Sequence, residues 1–161
     1  MKKNVTEKES HFVIVFRKHS RIKSRQWFIS NLSEIRKELL KKLPSKKKKL
    51  LVKLCKLAVL ITNNSEIKKL NTTYRKVNKP TDVLSFHLKP QFQAKYNYLG
   101  DIIISLAYAR NNAKEKKISL EQEILLLLIH SYLHLLGYDH LTLKEEKKMF
   151  KLQNDILLSL E

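Results

Sequence analysis

Three histidines fall within one short stretch near the end of the chain: His130-Ser131-Tyr132-Leu133-His134-Leu135-Leu136-Gly137-Tyr138-Asp139-His140. His130 and His134 are four residues apart, which on a helix puts them on one face, one turn apart. Gly137 can take the left-handed conformation that closes a helix, and the reversal swings His140 back towards the other two. Three neutral imidazoles converging on one point form an open metal site, with a coordination position left for water. Such ligands leave the charge of the ion uncompensated. The water therefore loses its proton near neutral pH and becomes a nucleophile or base. Zinc suits three nitrogens and an open position best, although nickel, iron and copper accept the same ligands. Asp139 either orients an imidazole or shapes the turn.

The spacing H-x3-H-x5-H is shared with the metzincin proteases. Those carry a glutamate directly after the first histidine, as the general base. Here that position is Ser131. A hydroxyl cannot do the work of a carboxylate, so a metzincin-like zinc peptidase becomes the alternative reading.

The elements around the cluster set its position. Ser119 followed by Gln122 is a capping box, and it opens a helix over roughly Leu120 to Leu136 that carries the first two histidines. This helix is apolar nearly all round, which marks it as the central buried helix. Thr142 with Glu145 caps a last amphipathic helix, with Met149, Leu152, Ile156 and Leu160 on one stripe. Upstream, His11–Phe16 reads as a first strand and Leu57–Thr62 as a second, continuous enough for burial on both faces. Phe28, Leu32, Ile35, Leu39 and Leu43 recur at helical spacing and stop at Pro44. Asn64 or Ser65 caps a short helix towards Tyr74. Val83–His87 and Asp101–Ser105 are the remaining strands. Leu88–Gly100, polar and holding Pro90, reads as a mobile loop, and Ser105 caps a helix to about Lys116. The order βαβαββααα predicts an α/β (α+β) fold. It has one domain over residues 1–161, with a small four-stranded mixed sheet packed by about five helices.

Length and composition agree. The chain has 161 residues and 43% hydrophobic content, enough for one domain with a real core. The lone cysteine, Cys55, forms no intramolecular disulfide and reads as a small buried hydrophobe, so no disulfide-linked partner is expected. No apolar stretch of secretory-signal type follows the polar first ten residues, and Ile124 to Leu136 is too short to span a bilayer. A soluble cytoplasmic protein is the expectation. The net charge is +18 and uneven: residues 1–60 carry 18 Lys and Arg against 4 Asp and Glu. A basic face attracts polyanions, and nucleic acid is the first of these. Lysine-rich composition and a solvated loop at Lys46–Lys49 account for the same charge without any ligand.

Two further stretches narrow the chemistry. Residues 70–86 read Leu-Asn-Thr-Thr-Tyr-Arg-Lys-Val-Asn-Lys-Pro-Thr-Asp-Val-Leu-Ser-Phe, and residues 99–105 read Leu-Gly-Asp-Ile-Ile-Ile-Ser. Together with His130–His140 they resemble the YbeY family of bacterial metal-dependent endoribonucleases. Leu70, Asn71, Tyr74, Arg75, Lys79 through Phe86, Gly100 through Ile102 and His134 through His140 carry the match. The resemblance implies that His130, His134 and His140 hold one metal ion, usually described as zinc. It implies that Arg75 is the functional arginine near the metal. It also implies that single-stranded RNA, in particular ribosomal RNA on the small ribosomal subunit, is the substrate, in 3′-end maturation and ribosome quality control. Two positions depart from the family pattern: its glycine after the first histidine is Ser131, and its proline after Ser-Phe is His87. His87 could serve as ligand, acid or base; a plain strand residue is the preferred reading. A second alternative is a non-catalytic, ribosome-associated module whose metal only holds the fold. On physical grounds Arg75 suits phosphodiester cleavage, because a guanidinium binds two phosphoryl oxygens as negative charge develops on them. Without the motif, an ordinary surface arginine at a helix end, favoured there by the dipole, is the preferred reading.

Overall fold

The computed structural model describes residues 11–17 and 22–160, so the polar first ten residues lie outside it. In chain order the elements are β1 (Phe12–Phe16), α1 (Arg25–Lys42), α2 (Ser45–Lys53), β2 (Lys56–Thr62), α3 (Asn64–Arg75) and β3 (Val83–Phe86). They continue with α4 (Pro90–Tyr96), β4 (Tyr98–Ser105), α5 (Leu106–Lys116), α6 (Leu120–Leu135) and α7 (Leu143–Leu158). The four strands form one mixed sheet in the order β1-β2-β4-β3. β1, β2 and β4 run parallel, while β3 pairs antiparallel with β4 at the edge.

Five of the helices open on a side-chain cap. The Ser24 side chain accepts from the Trp27 N–H, and Ser105 accepts from Tyr108. Ser119 with Gln122 and Thr142 with Glu145 close complete capping boxes. The third helix is capped by Asn63 rather than Asn64 or Ser65, because the Asn63 side chain is the one that reaches the Glu66 N–H. In α1, Phe28, Leu32, Ile35 and Leu39 are fully buried against one face of the sheet. Each such side chain contributes about 1.5–3 kcal/mol of transfer free energy. Nine residues of α6 are buried, which makes it the central helix of the core. A smaller cluster of Ile67, Leu84 and Ile103 lies beneath α3 on the opposite face. That face is covered only in part: Leu60 of β2 is half-buried where Leu57, Val59 and Ile61 are buried, so β2 is not sealed on both sides.

Two helices depart from the sequence expectation, giving seven among the described residues where about five were expected. Pro44 ends α1 but also begins α2: its carbonyl accepts from the Lys47 and Lys48 N–H groups, and buried Leu51 and Leu54 hold the turn down. The lysine run is therefore helical and not a loop. The segment expected to be a mobile loop contains α4 and the start of β4. Pro90 sits in the first turn of α4 and Asn97, at φ 53°, ends it. No residue of α4 is buried, so the sequence carries no apolar period to reveal it. Cys55 is half-buried rather than buried. Among the described residues no helix is long and apolar enough to cross a membrane.

Candidate metal centre

The cluster is built by the end of α6. Gly137 takes φ 77°, its N–H donates to the His134 carbonyl, and the Tyr138 N–H donates to the Leu133 carbonyl. This paired arrangement is the Schellman closure, and it turns the chain so that His140 meets the helix face bearing His130 and His134. The Asp139 carboxylate accepts from the His140 backbone N–H at 2.8 Å, so Asp139 shapes the turn. One nitrogen from each of the three histidines lies within 4.8 Å of the other two.

The ring nitrogens show how well these residues suit a cation. His130 Nδ1 lies 3.0 Å from the Gln153 Oε1 acceptor, and His134 Nδ1 lies 3.0 Å from the Tyr138 carbonyl oxygen. Both Nδ1 atoms therefore carry the hydrogen, and both Nε2 atoms keep a lone pair. Those two Nε2 atoms are 3.0 Å apart. Two acceptors that close repel unless a cation or a proton lies between them. Two nitrogens bound to one tetrahedral zinc ion at about 2.05 Å would be about 3.3 Å apart, close to what the fold imposes. Burial pushes both imidazoles below the ordinary histidine range, with His140 adding repulsion at His130 and His130 adding it at His134. They are neutral at neutral pH, which is the form that binds metal. The Phe150 ring stacks over both His130 and His140, with centroids 6.4 Å away in each case.

The histidines open into a cleft of about 540 Å³ whose walls include Arg75, Asp82, Ser85 and His87. Arg75 reaches it from the last residue of α3. Its Nη2 donates to the Ser85 carbonyl at 3.3 Å, and its guanidinium lies over the Phe86 ring at 6.0 Å. Asn71, buried on the same helix, donates to the Lys79 carbonyl and ties the following loop back to α3. His87 joins neither the cluster nor the strand; its Nε2 is 3.0 Å from the Leu135 carbonyl near the end of α6. Ser131 is fully buried and absent from the cleft wall, and no glutamate lines the cleft among the described residues. The peptidase reading thus lacks its glutamate in space as well as in sequence.

Sequence reasoning missed Gln153, Asp82 and Phe150. Gln153 had a usable signal: it is four residues after Met149 and three before Ile156, a polar residue on an otherwise apolar stripe. Asp82 is engaged by the Val83 N–H, the Thr81 hydroxyl and the Asn112 amide, which makes it a bracket for the cleft wall.

Comparison with known proteins agrees with this geometry. Residues 19–161 match the family model for endoribonuclease YbeY. The endoribonuclease YbeY of Pelagibacter ubique is 46% identical over 107 residues, covering 66% of this chain and 70% of that protein. Its counterpart in Aquifex aeolicus is 49% identical over 105 residues, covering 65% and 69%. A solution structure of a Thermotoga maritima protein superposes with a TM-score of 0.53 at 27% identity, over 91% of this chain and 86% of that one. The chain belongs to the YbeY family of endoribonucleases, hydrolases of RNA phosphodiester bonds.

Proposed function

We propose that residues 1–161 form one catalytic domain, a metal-dependent endoribonuclease that cuts single-stranded RNA. Its place would be in the cytoplasm, in 3′-end maturation of small-subunit (16S) ribosomal RNA and in ribosome quality control. One zinc ion per chain would be held by His130, His134 and His140. The observation that carries the reading is the pair of Nε2 lone pairs 3.0 Å apart on the floor of a cleft that Arg75 also lines.

An ion held there would supply Lewis acidity at a phosphate oxygen and would acidify a water. The chain supplies the rest. Gln153 and the Tyr138 carbonyl hold the two rings of α6 in the ligating tautomer. Arg75, steadied by the Ser85 carbonyl and the Phe86 ring, offers its remaining N–H groups to the phosphoryl oxygens as charge grows on them. The His87 contact to Leu135 ties the end of β3 to the end of α6, so the element bearing the histidines and the segment that steadies Arg75 keep their spacing.

The test is metal analysis of the purified protein coupled to cleavage of a labelled single-stranded RNA, with and without chelator. Wild type should cut the RNA, and chelator should stop it without unfolding the chain. His134→Ala should lose both metal and cleavage. Arg75→Ala should keep metal and fold but lose cleavage. Undiminished cutting by Arg75→Ala or in chelator would overturn the reading. Unfolding by chelator would point instead to a metal that only holds the fold.

A further inference from the structure

The net positive charge has a definite address. α2 carries Lys46, Lys47, Lys48, Lys49 and Lys53, and among the described residues none of them pairs with a carboxylate. Lys46, Lys49 and Lys53 are exposed and recur at i, i+3 and i+7, so they form one stripe along the helix. The stripe works against the stability of α2. Four lysines, Lys46 to Lys49, stand in or next to its first turn, where the helix dipole disfavours cations, and neither an acid nor a side-chain cap compensates them.

These lysines surround a groove of about 550 Å³, lined by Pro44, Lys46, Lys47, Lys49, Leu50 and Lys53. Lys47, which lines this groove, also touches the end of α6 and a residue of the metal cleft. Its Nζ donates to the Leu136 carbonyl at 2.5 Å and lies 4.5 Å from the centre of the Tyr138 ring. Tyr138 lines the cleft and holds His134. Lys148 of α7 lies over the same ring at 5.9 Å. Burial and the neighbouring Lys148 and Lys46 push the Lys47 ammonium below the ordinary lysine range, which shows how closely the cations are crowded.

We infer that the α2 groove is a track for the sugar–phosphate backbone of the substrate strand where it leaves the metal cleft, gripped by Lys46, Lys49 and Lys53. This rests on the reading of the cleft as an RNA-cutting site. The Lys47–Tyr138 contact favours RNA over an unrelated acidic partner, because it sets the groove beside the cleft and a strand passing Tyr138 meets the α2 lysines. Lysine on an apolar floor neutralises phosphates without selecting bases.

The experiment measures binding alone. The affinity of a fluorescent 20-nucleotide single-stranded RNA is followed by anisotropy in chelator across a series of salt concentrations. Wild type is compared with Lys46→Gln/Lys49→Gln/Lys53→Gln, and with Lys68→Gln/Lys69→Gln/Lys114→Gln, which removes the same charge elsewhere. Each phosphate contact on a single strand contributes about 0.7 to the slope of log K against log salt. The α2 triple variant should therefore lower the slope by about 2 and weaken binding at least tenfold at low salt. The second triple variant should move the slope by less than half as much. Equal losses in the two variants, or an unchanged slope in the α2 variant, would overturn the track. So would a loss confined to binding of anionic phospholipid vesicles, which would make α2 a membrane contact. If wild type binds through α2 yet never cuts RNA when metal is present, the track stands and the nuclease reading falls.

Discussion

Gln153 is the side chain through which the candidate metal centre can be loosened without touching any of its three histidines. His134 is oriented by a backbone carbonyl, which no substitution removes, whereas His130 is oriented by the Gln153 side chain at 3.0 Å. Gln153→Met keeps the bulk and deletes the acceptor. The His130 ring is then free to rotate, and its Nδ1–H loses its partner. Loss of such an orienting partner typically weakens metal binding by about 10–100-fold, or about 1.4–2.8 kcal/mol. The metal-free fold should lose less, about 1 kcal/mol, because a half-buried imidazole recovers part of its hydrogen bonding from water. Gln153→Glu retains an acceptor and should bind at least as tightly as wild type. Zinc affinity is read by competition with a chromophoric chelator, and the fold by urea denaturation of the metal-free protein. If Gln153→Met binds zinc within twofold of wild type, the tautomer assignment at His130 is wrong. The opposed lone pairs would then no longer argue for a cation.

Three further outcomes follow from buried or strained positions. The Ser131 hydroxyl is buried in α6 without a hydrogen-bond partner, so Ser131→Ala should raise stability by about 1 kcal/mol in urea denaturation, with zinc affinity unchanged. A Cβ at Gly100 would sit 2.4 Å from the Phe86 carbonyl oxygen and 2.7 Å from a methyl of Leu135; Gly100→Ala should cost about 1–3 kcal/mol and loosen the His87 contact beside it. The Thr62 hydroxyl and then Arg17 hold the Glu66 carboxyl below its usual range. A folded-state value that is depressed gives stability that is complete above the unfolded value, near 4.5, and is lost as pH falls through the folded value. Acid denaturation of wild type should therefore show a stabilisation at pH 6 over pH 3 that is smaller in Glu66→Gln.

Much of the site was legible because its signals are local. Spacing on a helix, a glycine able to reverse the chain and two capping boxes all act within a few residues, and each is realised by bonds of the same short range. Four strands and the five longer helices were legible for the same reason: their apolar periods match the faces they bury. α4 was not, because a helix that buries nothing leaves no period. α2 was obscured because a proline that stops one helix can start the next.

The sequence by itself determined the three histidines and the turn that brings them together, since helix periodicity and a left-handed glycine need no distant partner. Tertiary structure alone decided that Gln153, 23 residues after His130, fixes its tautomer, and that Arg75 on α3 faces the same cleft. It also set Lys47 against the end of α6, 89 residues away in the chain. These depend on which helix packs against which, and packing is settled by the whole apolar surface to be buried rather than by any local motif.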